Sequence, residues 1–314
     1  MGMRELKLKA MAKINLGLDV LRKREDGYHE LRMIMQTVRL YDRVQLTVTE
    51  APGIRVKTNL SFLSTGEDNL VYKAAKLLMD EFQIAKGLFI NLDKHIPVAA
   101  GLAGGSSDAA AVLVGVNRLF HLGLSREELM ERGVKLGADV PYCILRGTAL
   151  AEGIGEKLTP LPSPPACHVL LAKPKVHVST KFVYGNLKAD QLAAHPDVDG
   201  QIQALQNGDL RKLAECMGNV LETVTIPAYP VIEEIKNEMK QMGALNAMMS
   251  GSGPTVFGLF EDRGMARKAF ERLRRGSLAK QVYLVEPFCH RASGREQDDN
   301  ATLKNGGGGI DHDG

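Results

Sequence analysis

The sequence predicts an α+β protein with two domains, a mixed α/β domain followed by a smaller α+β domain. Three observations support this fold class. Strand-like segments and amphipathic helices alternate in the first half, a proline-rich segment interrupts regular structure at Thr159–Pro165, and strands and helices alternate again in the second half. At 314 residues the chain is long enough for two hydrophobic cores. We place the domains at residues 1–158 and 159–292, and we predict a disordered tail at 293–314 because that segment has almost no apolar residues.

The first predicted strand runs from Leu6 to Val20, where apolar and polar residues alternate. The even-numbered apolar residues would share one face of the strand. Lys13 and Asn15 would lie on the other face, which in the simplest interpretation is solvated. Further strands are expected at 44–48, 54–56 and 88–92.

Three helices are expected to follow in the first domain, each with its own start signal. Asp68 is a plausible N-cap for the first helix, Ser107 and Asp108 would open the second, and the Ser125–Glu128 pattern is a capping box for the third. In the second domain, Pro230 and Gly243 bound a helix at 231–242. The other predicted elements there are a strand at 167–172, two strands flanking Ser250–Pro254, a helix at 264–274 and a strand at 281–285.

Composition excludes several classes of function. The net charge of +3 is too small to indicate a nucleic acid or a membrane surface as a partner. Residues 1–6 contain no apolar signal core, so we expect a cytoplasmic protein. The four cysteines form no C-x-x-C pair, which argues against a local zinc site and favours buried, reduced thiols.

The segment Pro97–Leu113, "PVAAGLAGGSSDAAAVL", has the properties of an anion site. Glycines let backbone N–H groups approach a ligand closely, and the helix that follows offers the positive end of its dipole. Phosphate is therefore the expected ligand. The chain has no Gly-Lys dipeptide, no H-R-D or D-F-G signature and no G-x-G-x-x-G here, which excludes a Walker A loop and the protein kinases. Taken alone, the loop is equally well a tight turn between a strand and a helix.

Other candidate residues also have simple structural interpretations when each is taken alone. The segment Met249–Thr255, "MSGSGPT", would be a hairpin with a bulge, and no G-x-S-x-G elbow is present. Asp139 in "LGADVP" would cap a turn beyond a helix. The segment Asp26–Glu30, "DGYHE", would be a turn that happens to contain a histidine.

Taken together and in this order, these segments resemble the GHMP small-molecule kinases. The resemblance covers residues 5–290 and rests on "AKINLGLDV", "DGYHEL", "IPVAAGLAGGSSDAAA", "LGADVP" and "MSGSGPTVFG". It implies an N-terminal ATP-binding domain and a ferredoxin-like C-terminal domain. It also implies ATP-dependent phosphorylation, with Mg²⁺, of the 2-hydroxyl of a cytidine-diphosphate-linked methylerythritol in non-mevalonate isoprenoid biosynthesis. No nucleic-acid or membrane partner is expected, and the chain would be a monomer or a homodimer.

The resemblance also implies residue roles. Asp139 would be the general base toward the substrate hydroxyl, Lys13 would neutralise developing charge, Tyr28 would stack on the cytosine and His29 would hydrogen-bond to it. Either Tyr184 or Phe182 would close the other side of the base. The implied nucleotide-binding residues are Pro97, Ala99, Ala100, Gly101, Leu102, Ala103, Gly104, Gly105, Ser106 and Ser107, with Mg²⁺ bridging the phosphates and no protein ligand to the metal. The implied substrate-binding residues are Asn15, Tyr28, His29, Asp139, Thr180 and Tyr184.

One position departs from the family pattern. Ala103 stands where many members carry glycine, so we expect ordinary backbone dihedral angles there. Three alternatives remain: a homoserine, mevalonate or galactose kinase, a mevalonate diphosphate decarboxylase, or a nucleotide-binding regulator without turnover. The first would not require "GYH" in this place, release of carbon dioxide would reveal the second, and the presence of both Lys13 and Asp139 argues against the third.

Overall fold

The structure is a computed structural model and describes residues 4–290 and 302–304. Over these residues the chain forms eleven strands and ten α-helices. The strands are β1 (Glu5–Lys23), β2 (His29–Thr49), β3 (Ile54–Thr58), β4 (Gly87–Asp93), β5 (Thr148–Gly153), β6 (Lys157–Leu161), β7 (His168–Lys173), β8 (Asn246–Met249), β9 (Val256–Phe260), β10 (Gln281–Val285) and β11 (Thr302–Lys304). The helices are α1 (Leu70–Glu81), α2 (Gly104–Leu119), α3 (Arg126–Val134), α4 (Val140–Leu145), α5 (Thr180–Asn186), α6 (Val198–Asn207), α7 (Leu210–Cys216), α8 (Glu222–Ala228), α9 (Val231–Gln241) and α10 (Arg263–Arg275).

The larger sheet is built around the long strand β2. Its strands follow the order β11-β1-β2-β4-β3, and β5 pairs with both β2 and β6. Residues 43–49 of β2 pair with β4, while residues 31–36 pair with β5, so the two ends of β2 have different neighbours on that side. The pairing of β3 with β4 is parallel, and the other pairings of this sheet are antiparallel.

The smaller sheet has the order β10-β7-β9-β8 with antiparallel pairing throughout. Helix α9 precedes β8, and helix α10 connects β9 to β10. This is the β-α-β-β-α-β arrangement of a ferredoxin-like domain, with α5–α8 inserted before α9, and it confirms the predicted class of the second domain. Alternate residues of β7 belong to different hydrophobic cores: Leu170 and Ala172 to one, Val169 and Leu171 to the other.

Strand β1 takes part in both cores. Its pairing register with β2 shifts between Met11 and Lys13 and again between Asn15 and Gly17. Irregular pairing of this kind can turn the side chains that follow to the opposite face of a sheet. Leu6, Leu8, Ala10, Leu18 and Val20 therefore belong to the core beneath α1 and α2, whereas Ala12, Ile14 and Leu16 belong to the core shared with the smaller sheet. The prediction of one apolar face along this strand is thus wrong in its middle.

Two predicted helix starts are corrected by one to three residues. Asn69, not Asp68, is the N-cap of α1, and its side chain accepts a hydrogen bond from the Val71 amide. Helix α2 begins at Gly104 rather than at Ser107, so the last glycines of the motif are helical. The capping box of α3 is present as predicted, with Ser125 and Glu128 as its two members.

The proline-rich segment does not interrupt the larger sheet where we expected. Residues up to Leu161 pair with β5, so the proposed boundary at 159 falls inside β6. Proline is tolerated there because β6 pairs only with β5 among the described strands and Pro160 lies at the sheet edge. Of the predicted disordered tail, residues 302–304 form a strand that pairs with residues 5–7. The other residues of the predicted tail lie outside the described residues.

The cysteines are free thiols. Cys143, Cys167 and Cys216 are buried, and Cys289 is half-buried. Burial raises the pKa of the Cys167 thiol to about 12, so this thiol is protonated at neutral pH. Among the described helices, none combines the length and the apolar character needed to cross a membrane.

Candidate active site

A cleft of about 1070 Å³ lies between three segments, which we call the glycine loop (residues 97–103), the hairpin loop (residues 250–255) and helix α5. Most of the site residues predicted from the sequence line it. They are Lys13, Asn15, Tyr28, His29, Pro97, Ala99, Ala100, Gly101, Ala103, Gly104, Gly105, Ser106, Asp139, Thr180 and Tyr184. The cleft thus collects side chains that are far apart in the sequence.

Two residues of the predicted phosphate loop do not line the cleft. Leu102 is buried in the core shared with the smaller sheet. Ser107 is also buried, and its hydroxyl donates a hydrogen bond to the Met11 carbonyl at 2.7 Å. Both residues attach the loop and α2 to β1 rather than facing a ligand.

Lys13 and Asp139 form an ion pair inside the cleft. Lys13 Nζ lies 3.7 Å from Asp139 Oδ2 and donates a hydrogen bond to Asn15 Oδ1 at 2.8 Å. Lys13 is only 5% exposed and Asn15 is fully buried, so the interpretation of this strand face as solvated is wrong. Asp139 is the N-cap of α4, but its side chain makes no capping hydrogen bond. Its carboxylate is therefore directed to Lys13 and the cleft.

The glycine loop and the hairpin loop fit closely at Gly101. Gly101 has a φ of +74°, and a Cβ atom there would lie 2.1 Å from the Ser250 carbonyl oxygen. The Ser250 hydroxyl donates a hydrogen bond to the Gly101 carbonyl at 2.9 Å. On its other side, the loop accepts a hydrogen bond at Leu102 O from the Lys13 amide at 3.1 Å. Only glycine satisfies both the left-handed backbone and this close contact.

Ala99 and Ala103 have left-handed backbone conformations, with φ values of +50° and +53°. The expectation of ordinary dihedral angles at Ala103 is therefore wrong. An alanine in this region costs about 1–2 kcal/mol. Ala103 is the N-cap of α2, and its methyl group cannot accept a hydrogen bond from the first helical amides. Those amides have no acceptor within the helix, which leaves them available to an anion.

Three ring side chains, Tyr28, His29 and Tyr184, lie at the other end of the cleft, and we call them the aromatic group. The rings of His29 and Tyr184 are 5.2 Å apart and tilted by 42°, and Tyr28 is 60% exposed beside them. Burial lowers the pKa of His29, and the positive charge of Lys23 acts in the same direction. The imidazole is therefore neutral at neutral pH, with one nitrogen as a donor and the other as an acceptor. Of the two aromatic residues left open by the sequence, Tyr184 lines the cleft and Phe182 does not.

Thr180 connects α5 to the hairpin loop. The hydroxyl oxygens of Thr180 and Ser252 are 2.9 Å apart, and either can donate. Helix α5 is fixed at its start by Ser179, whose side chain accepts a hydrogen bond from the Phe182 amide. Both Thr180 and Ser252 line the cleft, so the second domain supplies hydroxyl groups next to the glycine loop.

A buried charge cluster beneath the glycine loop was missed by the sequence analysis. Lys94 Nζ bonds to the carboxylate of Asp42 and to Asp108 Oδ2, the latter at 2.6 Å. Both Lys94 and Asp108 line the cleft. A local signal existed for Asp108, which is the only charged residue in the stretch 96–117, but not for Lys94, which stands between Asp93 and His95. Asp42 also gave a signal, since it shares the even-numbered positions of Leu40, Val44 and Leu46, so the strand pattern places its charge on the apolar face.

The described residues contain no group of three or more His, Cys, Asp or Glu side chains placed to hold a metal ion. A Mg²⁺ ion accompanying a nucleotide is commonly held by phosphate oxygens and water with few protein ligands.

Comparison with known families gives two matches. Residues 69–147 match the family described as GHMP kinases N terminal domain, and residues 201–277 match GHMP kinases C terminal. The first region contains α1, the glycine loop, α2 and Asp139, and the second contains the hairpin loop.

Individual relatives cover nearly the whole chain. A 4-diphosphocytidyl-2-C-methyl-D-erythritol kinase of Lachnoclostridium phytofermentans is 57% identical over 90% of this chain and 97% of its own length. A protein of the same name from Lachnospira eligens is 57% identical over 91% of this chain and 99% of its own.

Two solved structures share the fold. A crystal structure of 4-(cytidine 5'-diphospho)-2C-methyl-D-erythritol kinase has a TM-score of 0.76 at 34% identity, covering 90% of this chain and 98% of its own. A homoserine kinase from Cytophaga hutchinsonii also has a TM-score of 0.76, at 19% identity, covering 97% and 98% of the two chains. The second likeness concerns the fold alone.

The left-handed conformation of Ala103 leads to a stability prediction. We expect Ala103→Gly to raise the free energy of unfolding by about 1 kcal/mol, because glycine adopts this conformation without steric cost. The matched control is Ala110→Gly within α2, where the backbone is helical and the change should lower stability by about 1 kcal/mol. Urea denaturation of both variants measures the difference. Equal destabilisation by both changes would show that Ala103 is not strained.

Proposed function

The chain belongs to the GHMP kinases, and we propose that it transfers the γ-phosphoryl group of ATP to the 2-hydroxyl of 4-diphosphocytidyl-2-C-methyl-D-erythritol. One observation carries this proposal: the Tyr28–His29–Tyr184 group shares a cleft with the Lys13–Asp139 pair and the glycine loop. A base-recognition end, a proton-accepting group and a phosphate-binding end therefore occur in one cavity. The relatives at 57% identity bear the name of this kinase, which places the reaction in non-mevalonate isoprenoid biosynthesis.

Asp139 acts as the general base in this proposal. An alcohol is a poor nucleophile, and a positioned carboxylate removes its proton as the bond to phosphorus forms. Lys13 holds the carboxylate through the 3.7 Å ion pair and is itself held by Asn15. The ammonium group also lies where negative charge develops during transfer, and a preorganised cation in a buried site stabilises that charge.

The nucleotide phosphates lie at the glycine loop and the first turn of α2. The free amides of the helix start, together with the close approach that Gly101 permits, suit an anionic guest. Mg²⁺ enters with ATP and neutralises phosphate charge when bound. The protein's part is to hold the phosphate chain against the loop while the hairpin loop keeps that loop in place through Ser250.

The cytosine end of the substrate lies at the aromatic group. Tyr28 offers an exposed ring face for stacking, and the neutral His29 can donate to or accept from the polar edge of the base. Tyr184 packs against His29 and completes the pocket from the second domain. A cytoplasmic location and a monomeric or homodimeric state remain predictions from the sequence.

The first test is a comparison of acceptors. Mg²⁺-dependent ADP release should occur with 4-diphosphocytidyl-2-C-methyl-D-erythritol and not with homoserine, mevalonate or galactose, because only the first presents a cytosine to the aromatic group. A reaction without Mg²⁺ serves as the control. Turnover with another alcohol, carbon dioxide release from a mevalonate diphosphate, or no turnover with any acceptor would contradict the proposal.

Replacing the base should separate chemistry from binding. We expect Asp139→Asn to lower kcat by about 10²–10⁴-fold, since the amide cannot accept the hydroxyl proton, while ATP affinity stays within about threefold of wild type. Rapid-quench ADP release and calorimetric ATP titration measure the two quantities. Asp190→Asn, at an exposed position away from the cleft, is the control. Near-normal turnover by Asp139→Asn would remove this residue from the mechanism.

Removal of the stacking ring should affect only one substrate. Base stacking on an aromatic side chain contributes about 1–3 kcal/mol, so Tyr28→Ala should raise the KM for the cytidine substrate by about tenfold to a hundredfold. The KM for ATP should change little. Tyr28→Phe keeps the ring and should stay close to wild type. Equal increases of both KM values for Tyr28→Ala would place Tyr28 outside the cytosine pocket.

A further inference from the structure

Three charged side chains are buried together beneath the glycine loop. Lys94 lies between Asp42 and Asp108, and the exposed fractions of the three side chains are 4%, 0% and 3%. Two carboxylates and one ammonium leave a net charge of −1 if all three groups are ionised. A buried group with uncompensated charge is strongly unfavourable.

The two carboxyl groups have different surroundings. One oxygen of Asp42 accepts hydrogen bonds from the His95 and Ile96 amides, and the other bonds to Lys94, so Asp42 acts only as an acceptor. Asp108 Oδ2 bonds to Lys94, but Asp108 Oδ1 is buried and has no donor among the described residues. An ionised carboxylate would leave this oxygen unsatisfied.

Charge and contact around Asp108 favour its protonated form. Burial raises the pKa of Asp108 well above its usual range, and the Asp42 carboxylate acts in the same direction, while Lys94 opposes them. Both carboxyl groups bond to the same Lys94 ammonium, so they lie close together, and two neighbouring carboxylates disfavour the ionisation of both. From the other elements, the Cys143 thiol on α4 faces the same region, and Lys13 and Asp139 share the cleft.

We propose that Asp108 is a positioning residue that carries a proton in the folded protein, so that the cluster is neutral and holds Lys94 beneath the first turn of α2. A Cβ atom at Gly104 would lie 3.2 Å from Lys94 Nζ, which places the ammonium directly under the helix start. Because phosphates are expected at this helix start, a neutral cluster avoids the repulsion that a net negative one would cause. This role in phosphate binding rests on the proposed function, whereas the protonation does not.

The protonation has a direct signature in stability. When the folded-state pKa of an acid lies above its unfolded value, the folded protein retains a proton that the unfolded chain has lost, so rising pH favours unfolding. The unfolding equilibrium constant of wild type relative to Asp108→Asn should therefore increase about tenfold per pH unit from about pH 4 up to the raised pKa, and then level off. Asparagine cannot ionise, so the variant lacks this contribution.

The experiment measures urea unfolding of the full chain, without ligands, between pH 4.5 and 9. It compares wild type with Asp108→Asn, and the exposed Asp190→Asn variant is the matched control. The unfolding constant of wild type divided by that of Asp108→Asn should rise with pH. The same ratio taken with Asp190→Asn should stay level. A level ratio at Asp108 above about pH 5 would show a carboxylate that is ionised in the folded protein, whether it is ordinary or stabilised in its charged form. That result overturns the proposal.

The positioning role is tested separately by kinetics. Asp108→Asn preserves a neutral donor and an acceptor for Lys94, so its KM for ATP should change much less than that of Asp108→Leu. Asp108→Leu removes both interactions and should raise the KM for ATP by about tenfold or more, with a smaller effect on the KM for the alcohol. A large loss with Asp108→Asn would show that the charge is needed. Unchanged kinetics for Asp108→Leu would show that the cluster contributes to stability and not to ATP binding, which would overturn the positioning role.

Discussion

Two register shifts in the middle of strand β1 determine which side chains reach the cleft. Without them, Lys13 and Asn15 would stay on one regular strand face, and Ala12, Ile14 and Leu16 would pack with Leu6 and Leu8. With the shifts, the apolar side chains in the middle of β1 pack in the core shared with the smaller sheet. The shifts also place the Lys13 amide against the glycine loop and the Lys13 ammonium next to Asp139. The packing of the core and the geometry of the candidate site therefore have the same origin.

The cleft needs both domains because the first domain supplies the glycine loop and the second domain fixes that loop in place. The Ser250 carbonyl allows no side chain at Gly101, and the Ser250 hydroxyl bonds to the same residue. Thr180 and Tyr184 complete the walls from α5. The strained alanines of the glycine loop, Ala99 and Ala103, are tolerated because these contacts and the buried Lys94 cluster together fix the backbone conformation of the loop.

Much of the fold followed from the sequence, and its failures have identifiable causes. Periodicity located β1, the last part of β2, α9 and α10, because strands and helices leave a local pattern, whereas the ferredoxin-like class came from the family resemblance. Capping was correct at Ser125 and displaced at Asp68, because neighbouring Asn69 is an equally good cap. The backbone at Ala103 was predicted wrongly, since propensity disfavours the left-handed region and only tertiary contacts impose it. The same limit applied to Pro160, whose place at a sheet edge depends on strand order.

The sequence by itself determined the kinase family, the order of the elements and the residue types of the candidate site, because motifs and periodicity are properties of neighbouring residues. Only the tertiary structure decided that Lys13 is buried, that it pairs with Asp139, and that Tyr184 rather than Phe182 lines the cleft. It alone brought Asp42 to Lys94, which lies 52 positions away in the chain. Charges at such separations meet only when the sheet and α2 pack together, and burial then sets their protonation.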